Sequence, residues 1–347
     1  MRKMCLQMVH ELARHDERVV FMGSDLGHGT LAEMQSELPD RFYMEGISEM
    51  NLVGMAAGLA MEGAVVYANT IATFLTRRSF EQVAMDVCHA NLPVRLIGNG
   101  GGLVYAPLGP THEATEDLAI MRALPNMTIV APADAEEMRQ FMRVSVDHDG
   151  PIYIRLAKGY DPVVTDPEAP FEIGRAVSLR EGADAVIVTT GIGPRIALEA
   201  AKRLAQRGID AGVLHLPTVK PLDLDALEAR IAAVPVVVSV EEHSLIGGLG
   251  SAVAEFIAEA GFTTPKHFRR IGLPDAYPTR YGSQASQLED FGVTAERVEA
   301  TVAELCGSAR TVAGLGTMQR KGDGKWQSRM ISSHPSTQGQ RGTALPG

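Results

Sequence analysis

Short apolar runs alternate with longer segments of helical period along the first half of the chain. Residues 2–14 carry apolar positions at helical spacing and lead into an apolar strand at 18–23. Similar runs at 42–44, 64–68, 94–98, 127–131 and 152–156 read as buried strands, and the segments at 48–61, 78–90, 113–124 and 135–147 read as helices. Strands separated by helices in this way predict βαβ units and a mainly parallel sheet. The pattern stops where Tyr160-Asp161-Pro162 and Asp166-Pro167-Glu168-Ala169-Pro170 break it. A second series follows, with strands at 185–190, 211–216, 236–240 and 268–271 and helices at 194–207, 224–233, 249–260 and 295–305. After Gly307 the chain turns to Gly, Ser, Thr and Gln with no apolar period, the composition of a disordered segment. The expected fold class is α/β, as two consecutive three-layer domains with mainly parallel sheets at 1–158 and 173–307. A linker is expected at 159–172 and a disordered tail at 308–347.

A chain of 347 residues is long enough for two such cores. The scarcity of aromatics, 5% against 45% hydrophobic residues overall, fits Gly-, Ala- and Val-rich α/β packing. A formal net charge of −10 argues against nucleic acid or an anionic membrane as the main partner. Cys5, Cys88 and Cys306 are far apart and form no Cys-x-x-Cys pair, the usage of a reducing compartment. Neither a signal peptide nor a membrane span is visible, so a cytoplasmic location is expected.

Candidate chemistry concentrates in the first half. Ser48 reads as a helix N-cap and Glu49 sits in the first turn, where backbone N–H groups favour a carboxylate. Gly54, Ala57 and Gly58 then leave one face nearly bare, although each glycine costs about 0.5–1 kcal/mol against alanine inside a helix. Such a helix is either a buried, small-residue element or one that holds a carboxylate at a tight interface. Downstream, Phe74 and Phe80 are core residues or, in the functional alternative, a stacking platform for a flat ring. The glycine-rich loop from Asn99 to Glu113 ends at His112, whose imidazole can accept or donate a proton near neutrality. It is no phosphate-binding P-loop, because no Gly-Lys-Ser/Thr closes it, and no zincin, because Glu116 stands where a second histidine is needed. Arg155 and Lys158 end the last strand of this half as a pair of cations, and a guanidinium fork suits phosphate. Glu241–Val253 fails as a dinucleotide fingerprint, having Val253 in place of the third glycine, and reads as a structural strand-to-helix turn.

Gly46-Ile47-Ser48-Glu49-Met50-Asn51 followed by Gly54-Met55-Ala56-Ala57-Gly58 resembles the pyrimidine-binding domain of the transketolase family of thiamine diphosphate enzymes. The resemblance implies that Glu49 contacts the aminopyrimidine ring of the cofactor. Thr73-Phe74-Leu75-Thr76-Arg77, with Phe80 and Gln82 beyond it, is similar to the matching loop of deoxyxylulose phosphate synthase. That similarity implies Phe74 stacked on the pyrimidine, Arg77 close to it and Phe80 as a third pocket residue. Gly109-Pro110-Thr111-His112 resembles the family's substrate loop, which implies that His112 faces the reacting carbon and bonds substrate oxygens. The implied catalytic pair is therefore Glu49 and His112. The family commonly has aspartate where Leu108 stands, so Leu108 implies a less hydroxylated donor or acceptor. By the same resemblance Arg155 binds a substrate phosphate, and Asp25, in Gly23-Ser24-Asp25-Leu26, lies on the substrate side.

The family holds the diphosphate and Mg²⁺ with a Gly-Asp-Gly motif followed by asparagine. Here the one Gly-Asp-Gly is Gly322-Asp323-Gly324, in the tail, with no asparagine after it. The resemblance runs over residues 1–307 and matches the C-terminal half of a transketolase, with no metal site in this chain. It implies a C-terminal subunit that meets a separate N-terminal, diphosphate-binding subunit, as an α2β2 heterotetramer. The implied reaction moves a two-carbon ketol unit from a ketose, or ketose phosphate, to an aldehyde. The alternatives are a deoxyxylulose phosphate synthase-like subunit, a 2-oxoacid dehydrogenase β-like subunit, and a non-catalytic scaffold of the same fold.

Overall fold

Residues 1–157 and 161–316 are described by the computed structural model of the chain. The apolar runs of the first half fold as β1 (Val19–Gly23), β2 (Phe42–Met44), β3 (Val65–Ile71), β4 (Val94–Asn99), β5 (Thr128–Val130) and β6 (Ile152–Leu156). The second half contributes β7 (Val177–Arg180), β8 (Ala185–Thr189), β9 (Ala211–His215), β10 (Thr218–Lys220), β11 (Val236–Ser244) and β12 (His267–Leu273). The first sheet has the order β10-β5-β6-β4-β3-β1-β2, and the second β12-β11-β8-β9-β7. All pairings are parallel except two edge strands, β10 against β5 and β7 against β9. Because β10 belongs to the second half of the chain, it closes the first sheet's edge and ties the two halves together.

Alternate side chains of each strand enter apolar clusters on opposite faces, which makes each half three layers. On one face of the first sheet Val19, Phe21, Val65, Tyr67 and Ile97 meet the Arg2–His15 and Ala135–Ser145 helices. On the other, Met22, Val66, Ala68 and Leu96 meet Leu52, Val53 and Ala56 of the Glu49–Met61 helix. The second sheet repeats the arrangement, with Val186, Val188 and Leu214 on one side and Ile187, Val213, Val238 and Val240 on the other.

Several expectations change. The segment expected as one helix at 78–90 is two wide π turns, Phe74–Arg78 and Val83–Cys88, around Phe80–Gln82. The helix expected at 113–124 shortens to Asp117–Arg122, because the preceding residues form a packed loop. The last helix, Ala295–Gly316, runs past residue 307, where the tail was expected to begin. Gly307 alone costs about 1 kcal/mol there, and Val298, Val302, Leu305 and Cys306 bury the preceding turns against the second sheet. Lys158 and residues 317–347, including Gly322-Asp323-Gly324, lie outside the described residues.

Candidate active site

The C-terminal ends of β1, β3 and β4 bring the expected residues to one edge of the first sheet, where ligands of open parallel sheets bind. Glu49 opens the Glu49–Met61 helix and is 2% exposed. Ser48 occupies the N-cap position, but its hydroxyl donates back to the Glu45 carbonyl (3.0 Å) and leaves the helix start uncapped by a side chain. Glu49 Oε2 accepts instead from Arg78 Nη1 at 2.8 Å. The Arg78 guanidinium lies 4.5 Å from the centre of the Phe74 ring, and that ring meets the imidazole of His112 edge-on at 5.2 Å. Glu49, Arg78, Phe74 and His112 thus form one chain of contacts across two loops.

Arg78, rather than Arg77, stands beside Glu49 and Phe74. The wide turn at Phe74–Arg78 adds a residue per turn, so the fifth residue returns over the Phe74 ring. Arg77 faces the other way. Its Nη2 donates to Glu116 Oε2 (2.8 Å) and to the Glu113 carbonyl (3.1 Å), and its Nε also bonds Glu116. It braces the loop that carries His112. Burial would raise the Glu116 carboxyl, but the hydrogen bonds and charge of Arg77 together with the Thr115 hydroxyl hold the group below the usual carboxylate range. Phe80 packs half-buried against the core cluster under the helix and is not part of the ring pair.

His112 is half-buried, with Nδ1 2.9 Å from Thr111 Oγ1. Glu113, next to it, is 1% exposed, and neither carboxylate oxygen has a well-formed hydrogen bond. Burial raises its pKa, with Gln287 and Arg77 opposing. Leu108 is exposed at the rim, on the turn Ala106–Leu108. Asp25 is exposed at the end of β1, where the Ser24 hydroxyl lies 2.9 Å from Asp25 Oδ1 and 3.0 Å from Thr70 Oγ1.

Arg155 is turned inward, away from the expected phosphate role. Its Nε and Nη2 hold the two oxygens of Asp117 at 2.8 and 3.0 Å, and Nη2 also reaches the Glu242 carbonyl at 2.8 Å. Both partners are buried. Burial alone would raise Asp117, yet the Arg155 charge and hydrogen bonds hold it low. An anion approaching this guanidinium would compete with a buried carboxylate. A methyl at Gly101 would lie 2.5 Å from the Arg155 side chain, so the glycine-rich loop packs on this pair directly.

The second domain reaches the same loop, which the sequence did not announce. Glu242 accepts from Leu103 N (2.9 Å) and from Gln284 Nε2 (2.8 Å), and burial pushes its carboxyl to about 7 despite Arg155 nearby. Tyr281 covers Gly109, where φ is +79° and an added methyl would meet the tyrosine ring at 2.6 Å. Glu241 accepts from the N–H groups of Leu249 and Gly250, both at 2.7 Å, so the motif read as structural caps a helix. Among the described residues no cluster of three or more His, Cys, Asp or Glu could hold a metal ion, and no helix is long and apolar enough to cross a membrane.

Residues 1–160 match the family model of the transketolase pyrimidine-binding domain, and residues 174–298 that of the transketolase C-terminal domain. The chain is 36% identical over 299 residues to the 6-deoxy-6-sulfo-D-fructose transketolase subunit of a Clostridium species, covering 86% of this chain and 92% of that one. It is 39% identical over 293 residues to 1-deoxy-D-xylulose-5-phosphate synthase 1 of Geobacter sulfurreducens, covering 84% of this chain and 45% of that one. Among solved structures, a split-gene transketolase described as an inactive β4 tetramer matches with a TM-score of 0.81 and 37% identity, covering 88% of this chain and 98% of that one.

Proposed function

The chain belongs to the transketolase family, and on that premise we propose that it is the C-terminal subunit of a split, thiamine diphosphate-dependent transketolase. It moves a two-carbon ketol unit from a ketose, or ketose phosphate, donor to an aldehyde acceptor, in a heterotetramer with a separate N-terminal subunit. The observation that carries the reading is the buried Glu49 carboxylate at a helix start, in contact through Arg78 with the Phe74 ring. A guanidinium is a flat array of N–H donors. It lies on the Phe74 face and donates to Glu49, the pair of contacts that a flat, nitrogen-bearing ring would make. The residues therefore suit the pyrimidine end of thiamine diphosphate, and no described residue cluster suits its Mg²⁺, which this reading assigns to the partner with the diphosphate.

Bound thiamine diphosphate supplies the carbon–carbon cleavage chemistry. Glu49 would hydrogen-bond the ring nitrogen through its carboxyl group, and its burial would keep water from competing. Phe74 gives the ring a face to stack on. His112, tethered at Nδ1 to Thr111, keeps Nε2 for substrate oxygens and for proton transfer at the reacting centre. Arg77 and Glu116 fix the loop on which His112 rides. The outer face of the Glu49–Met61 helix, with Met50 51% exposed and Ile47 just before the helix 72% exposed, is the surface offered to the N-terminal subunit. Cys5, Cys88 and Cys306 are buried and form no disulfide, which suits a reducing, cytoplasmic setting.

The likeness to deoxyxylulose phosphate synthase supports a second reading, in which pyruvate is the donor. The test is turnover by the chain mixed with a diphosphate-binding N-terminal subunit, offering ketose and pyruvate donors in parallel. Two-carbon transfer from the ketose supports the first reading; condensation of pyruvate with loss of carbon dioxide replaces it with the second. Glu49→Gln should leave the melting temperature nearly unchanged and lower kcat by about two orders of magnitude or more, on the scale of lost proton-transfer groups. Near-normal turnover in that variant contradicts the role given to Glu49.

A further inference from the structure

The wide turn Phe74–Arg78 ends in two adjacent arginines that are held very differently. Arg77 is fixed by hydrogen bonds from Nε and Nη2 to the Glu116 carboxylate and from Nη2 to the Glu113 carbonyl. Among the described residues Arg78 makes one hydrogen bond, from Nη1 to Glu49 Oε2 at 2.8 Å, and its side chain is 46% exposed. Its guanidinium lies 4.5 Å from the centre of the half-buried Phe74 ring. The Glu49 side chain, by contrast, is only 3% exposed. In this pair the carboxylate is therefore the fixed member. The arginine, on a long stem that reaches solvent, is the movable one.

We infer that the Arg78 guanidinium is a displaceable stand-in for the pyrimidine end of the cofactor, so that arginine and ring exclude one another between Glu49 and Phe74. The inference rests on the reading of this site as a thiamine diphosphate pocket and adds a gate to it. One side chain that touches both the Glu49 carboxylate and the Phe74 ring spans the space in which any flat group touching both must lie. The guanidinium is itself flat, donates N–H groups and stacks on aromatic rings, so it reproduces the contacts of a nitrogen-bearing heterocycle. Its presence there has a physical reason. A buried carboxylate left without a partner is costly, and Arg78 supplies the counter-charge that Glu49 needs in the free chain. The wide turn delivers it, because an ordinary helical turn would not bring the fifth residue back over the Phe74 ring. Binding of the ring must then turn Arg78 out to solvent, and the apparent affinity falls by the fraction of molecules in which it is already out.

The test is calorimetric titration of the assembled complex with thiamine diphosphate at excess Mg²⁺. Arg78→Ala should lower the Kd about fivefold, the scale of one partly exposed ion pair that no longer has to be broken. Inorganic diphosphate with Mg²⁺, which lacks the ring, should bind the wild-type and variant complexes equally. Without cofactor the same variant should melt a few degrees lower, since Glu49 loses its partner, and saturating cofactor should erase that difference. Should Arg78→Ala fail to fold, Arg78→Lys keeps a counter-charge for Glu49 without the flat face, and should bind thiamine diphosphate about twofold tighter than wild type. Weaker or unchanged binding of thiamine diphosphate by the variant, or an equal gain with inorganic diphosphate, overturns the stand-in while leaving the transferase reading in place. So does a melting difference that persists in saturating cofactor. No saturable binding of thiamine diphosphate by an assembled wild-type complex removes both.

Discussion

At the scale of single residues, the site is built on buried carboxylates with different partners. Glu49 meets a half-exposed arginine, Asp117 a fully buried one, and the Glu242 carboxyl accepts from neutral donors with the Arg155 charge nearby. Their titration follows from those partners. Asp117 is held low by Arg155, so its contribution is present above its ordinary value of 3.8 and fades as pH falls through its depressed folded value. Glu242 is the reverse case. Burial raises it from 4.5 to about 7, so between those values the folded chain holds a proton that the unfolded chain has released. Stability must then fall as pH rises through that window. Glu242→Gln keeps the acceptor oxygen for Leu103 N and removes the titration. Urea midpoints of wild type and variant, taken from about pH 5 to about pH 8, should show a decline in the wild type that flattens in the variant. Equal slopes would contradict the assigned shift.

At the scale of elements, the Glu49–Met61 helix is made to be covered. Methyl groups placed at Gly54 and Gly58 would meet nothing within 4 Å in this chain. Gly58→Ala should therefore stabilise the isolated chain by roughly 0.5–1 kcal/mol, by removing glycine's entropy cost in a helix. The same methyl should weaken association with the N-terminal subunit, since a close-packed seam cannot absorb it without strain. Thermal melts of the lone chain and sedimentation of the mixture report the two effects separately, and a variant that assembles as tightly as wild type contradicts the seam. This helix was legible because its cap position, carboxylate and glycines are local signals. So was β1, which is buried on both faces and reads as an unbroken apolar run. Strands β7 and β10 were not legible, being short edge strands with Arg180 and Lys220 among few apolar residues. The Gln284–Asp290 helix has too few apolar residues to show a period. Arg78 was hidden by the wide turn at Phe74–Arg78, which breaks the ordinary helical count. The Arg155–Asp117 pair joins residues that only the tertiary fold brings together, as it does Tyr281 over Gly109.

At the scale of the whole molecule, the candidate site is half of one. Glu49, Phe74, Arg78 and His112 share one edge of the first sheet, and the second domain seals the loop behind them. Ile47, Met50, Met61 and Met85 stay exposed. Among the described residues no cluster of three or more His, Cys, Asp or Glu could hold a metal ion. These features belong together if the reaction centre forms only where this face meets the N-terminal subunit. The most direct measurement is ketol transfer by this chain alone, by the N-terminal subunit alone and by the two mixed, each with thiamine diphosphate and Mg²⁺ in excess. Transfer should be absent from either chain alone and should rise on mixing to a plateau at equal amounts of the two. Turnover by this chain alone, or none in a mixture shown by sedimentation to have assembled, would contradict the account.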